Sequence, residues 1–485
     1  MRDRGREVGA GPGVHESERK KVPNDQLLTD LRALVGDWGV VTGEALRART
    51  FDEPAGEVRA QVLVRPRDTA QVSAVLRLCN SRGQTVVTHG GLTGLVYGCT
   101  AGAEDLIVSL EAFNRIESVD VPGRTMRVEA GVTLQRAQEE AERFDLMFPL
   151  DLGGRGSATI GGNISTNAGG MRVVRYGMMR SLVLGVEAVL ADGTVLGSLN
   201  RMLKNNAGYD LKQLFIGSEG TLGIVTRADL RLVSRPRSQG TALVACPDFG
   251  SVTRLLATMD ARLGGQLSAF EVMWPEFYEI TTSAPANNVA VLPYGLGIYV
   301  LIEALGADAQ SDTERLEQAL GEAMEQGLVA DAVIAKSDLE RRAMWAPRED
   351  VFQMRRLGPT HSFDVSLSIA DMPGYLEALR RGLAECVPAA QTFVFGHVAD
   401  GNLHIVVAAG EAHAATFEAV ERCVYEPLRS IAGSISAEHG IGLERKAYLD
   451  ISRSAAEIAT MRVLKAALDP RGILNPGKVF DVQPA

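Results

Sequence analysis

A chain of 485 residues with 46% hydrophobic side chains has material for two or three domains with full cores, which excludes a disordered protein. Its formal net charge of −10, with no Lys/Arg block, argues against nucleic acid as the main partner, because phosphate binding needs a basic face. Five cysteines, Cys79, Cys99, Cys246, Cys386 and Cys423, contain no C-x-x-C, so neither a disulfide framework nor a thiolate cluster is expected and a cytoplasmic protein is.

Residues 1–24 are polar and read as a loose tail without the apolar core of a signal peptide, and no later run reaches the length of a membrane span. The arginines of the tail suit an organelle-targeting segment, but its interspersed acidic residues count against one. From Asp25 to Asp37 apolar residues recur at helical spacing. QVLVRPRD then ends a strand at Pro66, TAQVSAVLRLCNSRG predicts a helix with Thr69 as N-cap and Gly83 as C-cap, and QTVVTHGG predicts a second strand. This β-α-β unit runs into THGGLTGLVYG, where Gly90, Gly91 and Gly94 would let backbone N–H groups close around a phosphate. The loop is not G-x-G-x-x-G and opens no helix, so a nicotinamide-type Rossmann reading fails on context.

A hairpin about Pro122-Gly123 and an amphipathic helix, VTLQRAQEEAERFD, lead to a second glycine cluster, residues 152–170. Its seven glycines, interleaved with Ser157, Thr159, Asn163, Ser165, Thr166 and Asn167, are costly to order, which suggests backbone approaching something large and polar. LVLGVEAVLADGTVL predicts a hairpin at Asp192-Gly193, and FIGSEGTLGIVTRADLRLVSRP closes the first domain near Pro236. Beyond residue 240 strands and helices alternate, which predicts an α+β domain. Breakers at Pro470, Gly472, Pro476 and Gly477 then bring the chain back towards the first domain.

Within that second half, FVFGHVADGNLH carries two apolar runs around Asp400-Gly401, the dipeptide that favours a two-residue hairpin turn. Such a turn sets Ala399 against Asn402, Val398 against Leu403 and His397 against His404, with roughly 5 Å between the imidazole Cβ atoms. Two neutral imidazoles suit one divalent metal, and SAEHGIG supplies the third ligand as Glu438, leaving His439 free as a base. Zinc is the first choice of ion, with manganese and iron the alternatives. A metal-dependent hydrolase would use the same three ligands.

The glycine clusters and the two His-bearing motifs, in this order from about residue 40 to Val479, resemble the FAD-dependent D-2-hydroxy acid dehydrogenases of the vanillyl-alcohol-oxidase type, which include D-lactate, D-2-hydroxyglutarate and glycolate-oxidase-like enzymes. The resemblance implies a two-part FAD-binding domain over 25–238, a substrate or cap domain with an antiparallel sheet over 239–430, and a C-terminal segment, 431–485, that completes the site. It places the flavin pyrophosphate on His89, Gly90, Gly91, Leu92, Thr93, Gly94 and Leu95. Ser157, Gly161, Gly162, Thr166, Asn167 and Gly169 would lie along the ribityl chain and ring system, and Glu219, Gly220, Gly223 and Ile224 towards the adenine, with Asn475 of NPGKV also on the cofactor. No His or Cys other than His89 stands where a covalent flavin bond could form.

The same resemblance assigns the arginine of W-A-P-R-E, Arg348, to the substrate carboxylate, and places Asn402 and His439 beside the substrate. It also implies an external electron acceptor (an electron-transfer flavoprotein, a quinone or a cytochrome) and allows a homodimer. Three positions depart from the hydroxyglutarate pattern. A threonine four residues after the arginine, a lysine before the next strand's acidic residue and an asparagine two after the second metal histidine are replaced by Phe352, Ser362 and Val406. These apolar or uncharged residues point to D-lactate or a larger apolar D-2-hydroxy acid, with D-2-hydroxyglutarate as the alternative. A flavoprotein subunit that only relays electrons is a further alternative.

Overall fold

Four sheets order the chain in this computed structural model, which describes residues 25–47, 58–410 and 413–481. The tail expected over residues 1–24 lies outside the described residues. In the first sheet β1 (Val40–Thr42), β2 (Val62–Val64), β3 (Val86–His89) and β4 (Leu106–Ser109) stand in the order β1-β2-β4-β3. The expected β-α-β unit forms, but β4 inserts between β2 and β3 and pairs in parallel with both. Its helix, Thr69–Arg82, is capped one residue earlier than the sequence suggested. Extended Asp68 accepts the Gln71 N–H, while the Thr69 hydroxyl donates to Glu187 at 2.7 Å. Gly83 ends the helix in the left-handed conformation, as expected.

The second sheet has the order β5-β6-β10-β8-β9, built from β5 (Ile116–Asp120), β6 (Thr125–Glu129), β8 (Val183–Val189), β9 (Val195–Ser198) and β10 (Ile224–Arg231). Both predicted hairpins are present, closing at Asp120–Thr125 and Val189–Val195. A two-stranded ribbon of β7 (Leu146–Met147) and β11 (Val233–Ser234) closes this half. One apolar core runs beneath the first two sheets, from Leu31 and Val64 to Met126, Val186 and Leu230.

The remaining sheet is a seven-stranded antiparallel one. It comprises β12 (Ser238–Cys246), β13 (Leu267–Met273), β14 (Ile298–Gly306), β15 (Asp331–Ile334), β16 (Thr360–Ser366), β17 (Gln391–Gly396) and β18 (Asn402–Ala408), in the order β15-β12-β14-β13-β17-β18-β16. Side chains alternate between its faces. Phe270, Val272, Phe363, Val365, Val394, Leu403 and Ile405 point to one face and pack under the helices Phe249–Leu263 and Met372–Cys386. Glu271, Asp364, Phe395, His404 and Val406, one residue out of step, occupy the other face, where a second apolar cluster forms around Phe277, Trp345 and Phe393. The chain then returns to β3, where Asn475 donates its N–H to the Val86 carbonyl at 2.8 Å. Buried Lys465 holds this return by donating to the Thr221 and Leu474 carbonyls at 2.7 and 2.8 Å. Among the described residues no helix is long and apolar enough to cross a membrane.

Candidate functional site

The two-residue hairpin expected at Asp400-Gly401 does not form. The β17–β18 ladder ends at Phe395–His404, and Val398–Asp400 make a 3-10 turn that Gly401 closes in the left-handed conformation. Pairing is thus shifted by two residues, which preserves the face of every side chain. His397 sits beyond the strand instead of opposite His404, yet the turn folds it back so that the two ring centroids are 5.3 Å apart.

Both imidazoles present Nε2 to Glu438. His397 Nε2 lies 3.9 Å from Oε1, and His404 Nε2 lies 4.0 Å from Oε2. Ligands on a tetrahedral ion at about 2.0–2.1 Å stand about 3.4 Å apart, so a small contraction of these three groups would enclose one. A second grouping, Asp364, His404 and His439, is as compact, but one oxygen of its carboxylate is already saturated and the other is held by Asn402. Asp364 Oδ2 accepts the backbone N–H groups of Ala437, Glu438 and His439 at 3.2, 2.9 and 3.0 Å, and Oδ1 accepts Asn402 Nδ2 at 2.8 Å. Buried Arg445 adds a further contact at 3.3 Å. Asn402 therefore orients Asp364.

Charge in the pocket is unevenly held. Burial alone would keep His397 neutral, but the Glu271 and Glu438 carboxylates outweigh it and push the imidazole up to about 9. A site with two facing carboxylates calls for a cation, and a proton or a metal can supply it. His404 is held well below its ordinary value by burial and by the positive charge of His397, which keeps one ring nitrogen's lone pair available. Burial would raise Asp364, but His439 and Arg445 outweigh it and hold the group below the usual carboxylate range. Asp400 is pushed up to about 7, by burial first, against the pull of His397.

Arg348, on the helix Asp338–Glu349, is buried and donates Nε to Glu271 Oε2 at 2.9 Å. Its guanidinium carbon lies 4.7 Å over the Phe395 ring. Nη1 and Nη2 have no hydrogen-bond partner among the described residues, so the fork is free for a bidentate anion. His439 stacks beside His404 at 5.9 Å with its Nδ1 3.7 Å from Asp364 Oδ2. Its Nε2 likewise has no partner among the described residues.

The glycine clusters meet this pocket from the other half of the chain. Residues 152–170, expected as loop, contain the helix Ile160–Thr166, capped by Thr159 and ended by Asn167 at φ +51°. Its polar side chains close on themselves, since Ser165 and Thr166 donate to the Gly161 and Gly162 carbonyls and Asn167 accepts the Arg180 N–H. A Cβ on Gly91 would lie 2.0 Å from the Ser157 carbonyl oxygen, so the two clusters pack backbone to backbone. A Cβ on Gly169 would lie 2.6 Å from Glu438 Oε1, so the second cluster ends against the triad. Around the first loop Gly94 faces open space and Leu95 is exposed, while Gly90 and Thr93 pack on Thr159 and Gly154, and Leu92 adopts φ +58°. His89 is buried with Nε2 2.9 Å from the Cys99 carbonyl. Beside the two loops, Thr88 Oγ1 on β3 and Asn163 Nδ2 on the helix Ile160–Thr166 are buried without a partner among the described residues, as a cradle awaiting a polar ligand requires.

The group expected towards the adenine makes contacts within the protein. Glu219, at φ +51°, accepts the backbone N–H groups of Ile441 and Gly442 at 2.7 and 2.8 Å, latching the SAEHGIG loop to the glycine half. Leu443 continues this seam by donating to the Val96 carbonyl at 3.0 Å. Gly220 abuts Asn475, whose amide donates to the Glu219 carbonyl while its oxygen accepts the Thr88 N–H. Gly223 packs on the Phe215 ring, and Ile224 starts β10 inside the core. Of the substrate positions, Val406 is buried in the apolar cluster and Ser362 pairs with it across the strands but is exposed. Phe352 is 62% exposed beneath the Arg355 guanidinium. Glu271 and Asp364 were not singled out from sequence. Their signal is an acid at a position where both strand neighbours are core residues, which a buried strand tolerates only for a partnered charge.

A family described as FAD linked oxidases, C-terminal domain, matches residues 235–479, and one described as FAD binding domain matches residues 60–197. The mitochondrial D-2-hydroxyglutarate dehydrogenase of Danio rerio is 36% identical over 98% of this chain and 90% of its own length. The D-2-hydroxyglutarate dehydrogenase of Xanthomonas citri is 39% identical over 87% of this chain and 89% of its own length. Among solved structures, p-cresol methylhydroxylase with substrate bound superposes with a TM-score of 0.75 at 16% identity, covering 95% of this chain and 98% of that one. Alkyldihydroxyacetonephosphate synthase gives 0.71 at 17% identity, covering 96% and 87%. These two likenesses bear on the fold alone.

Proposed function

Since this chain belongs to the FAD-linked oxidase family, we propose that it oxidises a D-2-hydroxy acid to the 2-oxo acid in the crevice where Gly169 meets Glu438. That contact carries the reading, because it brings the end of a glycine-built cofactor cradle against a His-His-Glu triad. FAD bound along the two glycine clusters supplies a hydride acceptor for C2, and a divalent cation, zinc or else manganese or iron, held by His397, His404 and Glu438 supplies Lewis acidity at the 2-hydroxyl.

The chain's own groups then divide the work. Arg348 grips the 1-carboxylate through Nη1 and Nη2, with its Nε anchored. His439 Nε2 takes the hydroxyl proton as the C2 hydrogen leaves, a role suited to an imidazole nitrogen unpaired among the described residues. With its hydrogen on Nδ1, towards Asp364 Oδ2 at 3.7 Å, the base keeps its lone pair on Nε2. A hydrolase reading leaves the glycine cradle without a task, and an electron-relay subunit leaves the triad and free Arg348 fork without one.

The rest of the substrate would face Val406, Ser362 and Phe352. A second carboxylate there would lack the charge of the missing lysine, whereas each CH₂ buried against Val406 gains about 0.8 kcal/mol. D-lactate or a larger apolar D-2-hydroxy acid is therefore the first reading. One observation favours D-2-hydroxyglutarate, the substrate in the names of the relatives: the Arg355 guanidinium lies 4.9 Å over Phe352 and places a cation near the same position. Steady-state kinetics with an artificial acceptor separate the two. Higher kcat/KM for D-lactate or 2-hydroxy acids with alkyl side chains upholds the first reading, and a clear preference for D-2-hydroxyglutarate replaces it with the second.

A further inference from the structure

We infer that Glu271 is a positioning residue whose single carboxylate both fixes the His397 tautomer for metal ligation and aims the Arg348 fork at the substrate. The inference deepens the proposed function and rests on its metal reading. Glu271 lies on β13 between Phe270 and Val272, which face the helical core, so its side chain enters the opposite face and is 1% exposed. Each of its oxygens meets a different functional group. Oε1 is 2.6 Å from His397 Nδ1, and Oε2 accepts Arg348 Nε at 2.9 Å.

The chemistry of the two contacts is directional. A carboxylate is acceptor only, so His397 carries its hydrogen on Nδ1 and keeps the Nε2 lone pair for the ion. The His397 Nε2 that results is the atom 3.9 Å from Glu438 Oε1. By taking Nε of Arg348, the same carboxylate fixes the plane of the guanidinium and leaves the Nη1 and Nη2 edge unpartnered among the described residues. Metal and carboxylate recognition are thereby set by one rigid strand residue. Glutamine in its place has the same shape but only one acceptor atom. If its oxygen stays with Arg348, its amide donates to His397 Nδ1 and moves the imidazole hydrogen to Nε2, which can no longer ligate. If the amide turns, His397 is kept and Arg348 loses its anchor.

The test is Mn²⁺ titration of EDTA-stripped, FAD-loaded protein against a competing chromophoric chelator, with D-lactate and D-2-hydroxyglutarate kinetics alongside. Glu271→Gln is expected to weaken Mn²⁺ by about 10–100-fold or, in the turned arrangement, to raise KM for both hydroxy acids by at least tenfold, with FAD content unchanged. Wild-type Mn²⁺ affinity together with wild-type KM overturns the inference. Glu271→Asp, one methylene too short to bridge both partners, is read in the same way should the glutamine variant lose its fold. A wild-type protein that binds no Mn²⁺, Zn²⁺ or Fe²⁺ refutes the metal reading itself, an outcome distinct from intact binding in the variant.

Discussion

Removing the Glu219 carboxylate should release the loop that carries Glu438 and His439 while leaving the rest of the fold in place. The two bonds lost run from Ile441 and Gly442 at 2.7 and 2.8 Å, and hydrogen bonds to a charged group contribute about 1.5–3 kcal/mol each. Their sum is about 3–6 kcal/mol, but burial pushes the Glu219 carboxyl up in spite of those two donors and Arg445, which offsets part of it, so the lower end is expected. A local loss of about 3 kcal/mol is roughly a hundredfold in the opening equilibrium of the loop. Hydrogen exchange of FAD-loaded Glu219→Ala should therefore show amides in 438–442 exchanging about 10²-fold faster, with β13 and β18 unchanged. The kcat should fall as well, because a base displaced by about 1 Å can cost 10²-fold. Wild-type protection of 438–442 in the variant would show that Asp364 alone holds the loop and that the latch is incidental.

Three further outcomes follow from the same geometry. EDTA should abolish turnover while the flavin absorbance stays with the protein, because the triad and the glycine cradle are built from different residues; full activity in demonstrably metal-free protein would contradict this. His439→Ala should retain FAD and metal yet slow anaerobic flavin reduction about 10²-fold or more, and an equal rate would make His439 structural. Asp364→Asn should destabilise the protein by about 3–5 kcal/mol at pH 7, since it strands buried Arg445. The Asp364 folded value lies below its unfolded one, so this stabilisation is complete above about pH 5 and fades progressively as the pH falls below that. The gap between the urea midpoints of the two proteins should be narrower at pH 3 than at pH 7 by the equivalent of about 1 kcal/mol, and a constant gap would refute the assignment.

The parts of the site visible in the sequence are those written in local chemistry. Asp400-Gly401 marks a turn, the glycine clusters mark close backbone approach, and the two His-bearing motifs group His397, His404 and Glu438. The two-residue turn is replaced by a longer one: the β17–β18 ladder stops at Phe395–His404 and His397 opens the 3-10 turn, a difference of register that the Asp-Gly dipeptide alone does not encode. Thr69 gave way to Asp68 as N-cap because Glu187, more than a hundred residues away, takes its hydroxyl. Glu271 and Asp364 were passed over since nothing adjacent in sequence names their partners. Arg348 from a helix, His397 from the turn after β17 and Arg445 from the segment beyond SAEHGIG reach them only in the tertiary fold, which is not a local property. Glu219 was legible as a special position, but its partners lie more than two hundred residues downstream.

The most direct measurement is anaerobic mixing of the FAD-loaded, metal-replete protein with single 2-hydroxy acids, following the flavin absorbance. Bleaching by D-lactate or a larger apolar D-2-hydroxy acid is expected, with slower bleaching by D-2-hydroxyglutarate and little by the L-enantiomers. A flavin that stays oxidised with every D-2-hydroxy acid would contradict the account.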